Sequence, residues 1–296
     1  MSASFTQRHP WLFGRPSVGF RADPHFYTKY DLVWLIGLVG SAAAMRGAGW
    51  EGLLTEWSLA LVPMFLAAAY VQVMAGVFVH NCSHVNFPKP INRFVGELCG
   101  MIVGTRFASW EILHRRHHKF SDDRVNDPHP LLPGFWRFFV RIMLLNLERN
   151  LRLQYLERWS DTPKNRRLDT LRTLFSFVTG LALMGWWWVV MGPIGFLFVF
   201  FPALVVGAIH VSHFNWSTHG GGLRTDGFEP INRDDGFYWI GNRIWFGIYF
   251  HANHHAHAGL FNPMKLPEVE ARRAALRAAR TAGQPAPVGD AVAAPE

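Results

Sequence analysis

The sequence predicts an all-α membrane protein of about four transmembrane helices, with a helical, histidine-rich cap on their cytoplasmic side. Three observations lead there. Apolar residues come in long blocks, basic residues gather in alternate segments between the blocks, and eight of the fifteen histidines form three tight groups.

The strongest blocks are Trp57 to Val79, where Gln72 is the only strongly polar member, Thr173 to Met191, and Ile194 to His210. Each approaches the roughly twenty residues that ~30 Å of hydrocarbon requires. Leu32 to Met45 is shorter and holds Gly37 and Gly40, but Tyr30 and Asp31 before it and Arg46 after it complete a fourth crossing. Phe94 to Val103 and Phe138 to Leu147 are broken by Glu97 and Arg141 and read as interfacial or re-entrant helices. Pro10, Pro16, Asp23 and Pro24 interrupt the first thirty residues before any apolar run, so no secretory signal is expected there.

A net charge of +8 with a pI near 9.9 raises nucleic acid as a partner, but the basic residues form no stripe on a soluble module. They collect in the connector His80 to Arg172, including Arg115, Arg116, Lys119, Arg137, Arg141, Arg149 and Arg152. The hairpin Arg46 to Glu56 holds one, and the Gly192-Pro193 link none. By the positive-inside rule the N-terminus, the connector and everything after Phe214 are cytoplasmic, and membrane lipids rather than nucleic acid are the surroundings. The expected division is a cytoplasmic segment (1–30), a transmembrane body (31–263) and an Ala-, Arg- and Pro-rich tail (264–296) that starts helical and ends disordered. Cys82 and Cys99 lack the spacing of a metal or iron-sulfur site and are expected to be free thiols.

The histidine groups are His80 and His84; His114, His117 and His118; His251, His254 and His255. A lone histidine is more often a hydrogen-bonded structural residue than a ligand. Three groups with separations of three or four residues are different, because on a helix such imidazoles project from one face, one turn apart. Polar residues at a membrane boundary are costly unless functional, and neutral imidazole ligates iron, zinc or copper. The topology above brings all three groups to the same side.

These residues resemble the three histidine boxes of membrane fatty acid desaturases and hydroxylases. His80-Asn-Cys-Ser-His84 is similar to HxxxH, and His114-Arg-Arg-His117-His118 and His251-Ala-Asn-His254-His255 are similar to HxxHH. The stretch His114 to His129, HRRHHKFSDDRVNDPH, resembles the desaturase pattern HRxHHxxxDxxxDPH. The likeness runs from about His80 to Pro263. Asn215-Trp-Ser-Thr-His219 is similar to an Asn-x-x-x-His element of the family. The resemblance implies two iron ions held by His80, His84, His114, His117, His118, His219, His251, His254 and His255, with dioxygen as co-substrate and no catalytic residue beyond these ligands. It also implies that Asn215 reaches metal through water. Asp127, in the Asp-Pro-His element, supports a ligand imidazole from behind, whereas Asp122 reads equally as that or as part of a solvated acidic loop. His210 and His213 precede the element at helical spacing and compete with His219. His210 reads as cavity lining or as support, and His213 as support behind the ligands or through water.

The chemistry explains the pattern. Removing hydrogen from unactivated carbon is beyond any side chain, whereas oxygen activated at iron achieves it, and two ions share the electrons. The expected reaction is O2-dependent desaturation of a fatty acyl chain on a lipid or a thioester. A hydroxylase or oxidative decarboxylase would use the same site. Box one has three intervening residues where acyl-CoA desaturases usually have four, a departure shared with acyl-lipid desaturases and hydroxylases. Zinc in the same ligands, or a haem-binding protein, are the other readings. No cysteine cluster for an electron carrier occurs, so a separate donor is expected, a ferredoxin, a rubredoxin or a cytochrome b5-like protein. Trp110, Trp216 and Trp245 are candidate liners of an acyl tunnel.

Overall fold

The structure, a computed structural model, is described over residues 14–220 and 229–281. His9 and the tail from residue 282 onward lie outside these residues. Among them every regular element is helical. The helices are α1 (Pro16–Ala22), α2 (Phe26–Gly47), α3 (Leu61–Ser83), α4 (Lys89–Ile102), α5 (Phe107–Lys119) and α6 (Phe135–Phe138), which runs on as a π turn, Phe139–Leu144. Next come α7 (Leu147–Trp159), α8 (Pro163–Gly195), a π turn over Phe196–Phe200, α9 (Phe201–Thr218), α10 (Gly236–Ile244), α11 (His251–Ala256) and α12 (Leu266–Thr281). Lengthwise, α2 packs along α8, and α9 along α3.

Among the described residues two stretches are long and apolar enough to cross a membrane, Leu61–Ser83 and Pro163–Thr218. The second has 56 residues, about 84 Å of helix and far more than one crossing of ~30 Å uses. It is folded in two at Gly192, whose φ of 74° and ψ of 165° leave the helical region, and Pro193 then supplies no N–H to continue the ladder. Trp187 stacks on Phe200 with ring centroids 4.3 Å apart, so the arms lie side by side. α2 has 22 residues but carries Lys29, Asp31 and Arg46 and is not among these stretches. Apolar side chains such as Phe177 (66% exposed) and Leu66 (61%) point out of the bundle, a surface suited to lipid.

The two links expected on one side do meet. The N–H groups of Leu53 and Leu54 donate to Val190 O and Met191 O, and Gly195 N–H donates to Leu54 O. Gly52 approaches so closely that a Cβ on it would lie 2.3 Å from Gly192 Cα. From this end α3 and α9 run the length of the bundle, and their far ends carry His80 and His219.

Several boundaries differ from the sequence reading. α3 starts at Leu61 rather than Trp57, because Ser58 O and Leu59 O are taken by the turn that opens it, and it continues to Ser83. α8 starts at Pro163, well before Thr173. Thr162 caps it by accepting from Asn165 N–H at 3.2 Å, and Pro163 fits the first turn. Two charges of its first half, Asp169 and Arg172, are buried against partners. Arg172 donates to Asp169 Oδ1 (2.8 Å) and Glu148 Oε2 (2.7 Å), and Arg106 donates to Asp31 Oδ1 (2.8 Å), which ties α2, α5, α7 and α8 together. α4 contains the interfacial stretch and exposes Ile91, Phe94 and Leu98 while burying Gly96, Cys99 and Gly100. The other weak stretch is the α6 turn. Cys82 and Cys99 are free and buried.

α5 is the element that fixes the site. Phe107 packs against Val79, Cys82 and Cys99 of α3 and α4, while Ile112 and Leu113 pack with Tyr27, Leu151 and Tyr155. Arg15 adds a tie, donating to Ser83 O at 3.0 Å and Glu111 Oε1 at 3.3 Å. Glu111 is 1% exposed and also accepts from Ser17 N–H (2.7 Å) and Ser17 Oγ (2.9 Å).

Candidate metal centre

The nine histidines singled out in the sequence come together in two groups. One is His80, His84, His114, His118 and His254; the other is His117, His219, His251 and His255. Within each group the ligating atoms lie within 4.8 Å of one another. The boxes interlock. In box two, His114 and His118 join the first group and His117 the second; in box three, His251 and His255 join the second and His254 the first. Helix geometry accounts for this, because residues i and i+4 point nearly the same way while i+3 is turned by about 100° from i+4. Each HxxHH box therefore serves two centres at once.

Inside the groups the Nε2 atoms face one another. His84 and His114 are 2.8 Å apart, His114 and His118 3.1 Å, and His118 and His254 3.0 Å. In the second group His219 and His251 are 3.0 Å apart, and His251 and His255 3.1 Å. Nitrogens bound at right angles to one ion at ~2.1 Å would lie about 3.0 Å apart. His80 Nε2 and His117 Nε2 are buried and have no hydrogen-bond partner among the described residues. Buried polar atoms normally find partners, so inward-facing, unpartnered lone pairs fit a bound cation.

The electrostatics agree with ligation. Burial, reinforced by neighbouring imidazoles, holds His84, His114, His118, His251 and His254 well below the usual histidine range and pushes His255 down to about 2. Neutral rings keep the lone pair a metal needs. The carboxylates act from outside. Asp127 accepts from His117 Nδ1 at 3.0 Å through both oxygens, and Asp122 accepts from His219 Nδ1 at 2.9 and 3.0 Å. Each thereby fixes the proton on Nδ1 and turns Nε2 inward as an acceptor. Asp127 also accepts from the N–H groups of Asp122 (2.8 Å) and His129 (2.7 Å). Burial opposes its ionisation, yet His117 and His129 outweigh that and hold its carboxyl below the usual range. His117, Asp127 and His129 themselves lie close enough to hold an ion, but Asp127 uses the outer nitrogen of His117.

The remaining candidates are placed as follows. Asn215 is buried one turn before His219 and donates Nδ2 to Val211 O at 2.8 Å. His213 is seated against Tyr238, Phe135 and Phe237, away from the nine rings. His210 Nε2 is 3.0 Å from Tyr249 Oη and its ring lies on Trp245. His257 faces Arg273, and His25 is on the surface. Trp110 stacks on His114 at 5.4 Å, and Trp216 donates to Leu132 O. Sequence reasoning left open the role of Asp122 and did not find the division of each box between two groups. The first rests on a contact spanning 97 positions, for which no local signal exists; the second was available in the i+3/i+4 spacing.

Comparison with known proteins identifies the class. The family model for fatty acid desaturases matches residues 55–282, and the chain belongs to that family. It is thus an oxidoreductase with a histidine-rich, metal-capable cluster and membrane-associated helices. Among curated relatives, an sn-1 stearoyl-lipid 9-desaturase of Synechocystis sp. is 26% identical over 245 residues, 78% of this chain and 68% of that protein. An sn-1 oleoyl-lipid 12-desaturase of Anabaena variabilis is 38% identical over 87 residues, 26% of this chain and 25% of that protein. The corresponding enzyme of Picosynechococcus sp. is 31% identical over 136 residues, 43% and 36%. No solved structure matches the chain.

Proposed function

We propose that the chain is a membrane di-iron desaturase acting on the acyl chain of a lipid, with the nine histidines as its ligands: five for one ion and four for the other. The observation that carries this reading is the pair of interlocking all-imidazole groups with inward-facing Nε2 atoms. Two iron ions there would supply O2-dependent removal of hydrogen from an unactivated carbon, which no side chain performs.

The chain's own residues do the rest. Asp127 and Asp122 hold the Nδ1 protons of His117 and His219 and keep those rings oriented. Asn215 has its amide nitrogen committed to Val211 O, leaving its carbonyl oxygen to hold a water at the site. His213 lies on α9 itself, two residues before Asn215, and its ring, packed on Phe135, Phe237 and Tyr238, would steady the helix that presents Asn215 and His219. A small space of about 10 Å³ lies against His80 and His254, walled by Val77, Trp245, Ile248 and Phe261. An alkyl chain would reach the ions there by displacing Phe246 and Phe261, whose rings close the space at 5.3 Å from each other.

Topology supports four crossings, by α2, α3 and the two arms folded at Gly192, with the body spanning 31–263. The two short links then share one face, and the histidines and the basic connector share the cytoplasmic one. Electrons would come from a separate ferredoxin, rubredoxin or cytochrome b5-like donor. The names of the relatives favour desaturation of a glycerolipid-bound chain over hydroxylation or decarboxylation. Iron-loaded protein given reductant, O2 and a lipid with an isotopically labelled stearoyl chain decides it. Loss of two hydrogens from the labelled chain supports the proposal, whereas a gained oxygen atom or a shortened chain replaces it with the hydroxylase or the decarboxylase.

A further inference from the structure

A second cavity, of about 320 Å³, opens on the outer side of α5. At about 100° per residue, Ile112, Arg115, Arg116 and Lys119 fall on the face of α5 opposite His114, His117 and His118. Two other helices complete the walls: α1 with Ser17, Phe20 and Arg21, and α7 with Gln154, Glu157 and Arg158. Five cations, Arg21, Arg115, Arg116, Lys119 and Arg158, thus face one carboxylate, Glu157.

That carboxylate is already engaged, because Arg116 donates to it at 2.6 Å while also donating Nε to Asn126 O at 3.0 Å. Arg115 is 3.9 Å from Glu111, whose oxygens are held by Ser17 and Arg15. Among the described residues, Arg21, Lys119 and Arg158 have no carboxylate within ion-pair distance. Gln154 adds a buried Nε2 that donates to nothing among the described residues, an expensive omission for an amide. Phe20 and Ile112 give the cavity a buried apolar wall.

Converging like charges repel unless an anion joins them, and Arg, Lys and amide donors together match the oxygens of a phosphoryl group. The apolar wall suits an organic part next to it. A volume near the lower end of the ~300–1,000 Å³ typical of small-ligand pockets fits such a molecule and not an inserted protein segment. We propose that this cavity binds a phosphate ester, its phosphoryl oxygens held by Arg21, Lys119, Arg158 and Gln154 and its organic part resting on Phe20 and Ile112. The same chemistry comes from two sources, the headgroup of an anionic phospholipid or a soluble phosphomonoester. The site stands apart from the metal ligands and holds whatever reaction the chain catalyses.

Two arms test it on the full chain. Purified protein in an uncharged detergent is titrated calorimetrically with glycerol 3-phosphate. In parallel, native mass spectrometry counts phosphatidylglycerol retained after release from phosphatidylcholine nanodiscs that contain it. Binding in either arm is expected to weaken at least about tenfold in the double variant Lys119→Gln, Arg158→Gln and to be unchanged in Arg243→Gln, a remote surface charge. Binding in the first arm identifies a soluble ester, and binding in the second alone identifies a headgroup. No binding in either arm, or equal binding by the double variant, overturns the proposal. Should the double variant fail to accumulate, Gln154→Leu replaces it, since it removes a donor without changing charge and is expected to weaken binding several-fold; undiminished binding there overturns the proposal equally.

Discussion

Replacing Asp127 by asparagine separates the two groups of histidines experimentally. Asp127 accepts from three donors, His117 Nδ1, Asp122 N–H and His129 N–H, at 2.7 to 3.0 Å, and it is 3% exposed. Asparagine has the same shape but only one oxygen, so its NH2 must face at least one of these donors. A buried donor left unpaired costs about 1–3 kcal/mol. Removing the carboxylate behind a ligand histidine typically lowers metal affinity ~10–100-fold, or about 1.4–2.8 kcal/mol. Both ring partners of the Asp122–Asp127 loop, His117 and His219, belong to the four-histidine group. The loss is therefore expected at one ion and not the other. Dialysis against chelators of increasing strength, followed by metal counting per chain, should show Asp127→Asn falling to about one ion where the wild type still keeps two. A variant that retains both ions like the wild type, or sheds both in a single step, would refute the reasoning.

Other outcomes follow from the same geometry. His254→Ala and His255→Ala, adjacent in sequence, should perturb different ions, which the spectra of singly depleted iron protein would distinguish; identical spectra would contradict the division of box three. Gly192→Ala places a side chain at φ 74° with Leu54 O only 3.0 Å from the new Cβ, so it should destabilise the protein by about 1–3 kcal/mol and lower its Tm in detergent. Burial pushes His129 down to about 4 and His255 to about 2, while unfolded histidine titrates near 6.5. Between pH ~6.5 and ~4 the unfolded chain thus binds more protons than the folded one, and stability falls as pH drops through that window. Thermal melts of metal-free protein should accordingly give a lower Tm at pH 5 than at pH 7, and the reverse order would count against neutral buried imidazoles.

Much of the site is readable in the chain because metal ligation imposes short spacings. A ligand at i and another at i+4 reach one ion from a single helix, and that leaves HxxxH and HxxHH in the sequence at His80, His114 and His251. The apolar stretches, though not their ends, were legible for the same kind of reason: uninterrupted apolar length is a local property, and the fold at Gly192-Pro193 is written in two residues whose backbone preferences are unusual. What escaped is non-local. The carboxylate behind His219 comes from Asp122, and the anchor for α5 comes from Arg15 and Ser17 through Glu111, contacts made across 94 to 97 positions. The early start of α8 was missed because charges such as Asp169 and Arg172 look like loop residues until their partners Glu148 and Arg152 are in place.

Under the proposed function, nine imidazoles from separate parts of the chain hold two ions. Metal counting combined with X-ray absorption at the iron edge, on anaerobically reconstituted protein, tests it most directly. About two irons per chain are expected, each in a shell of imidazole nitrogens at ~2.1 Å. One iron per chain, or a shell dominated by carboxylate oxygen or sulfur, would contradict it.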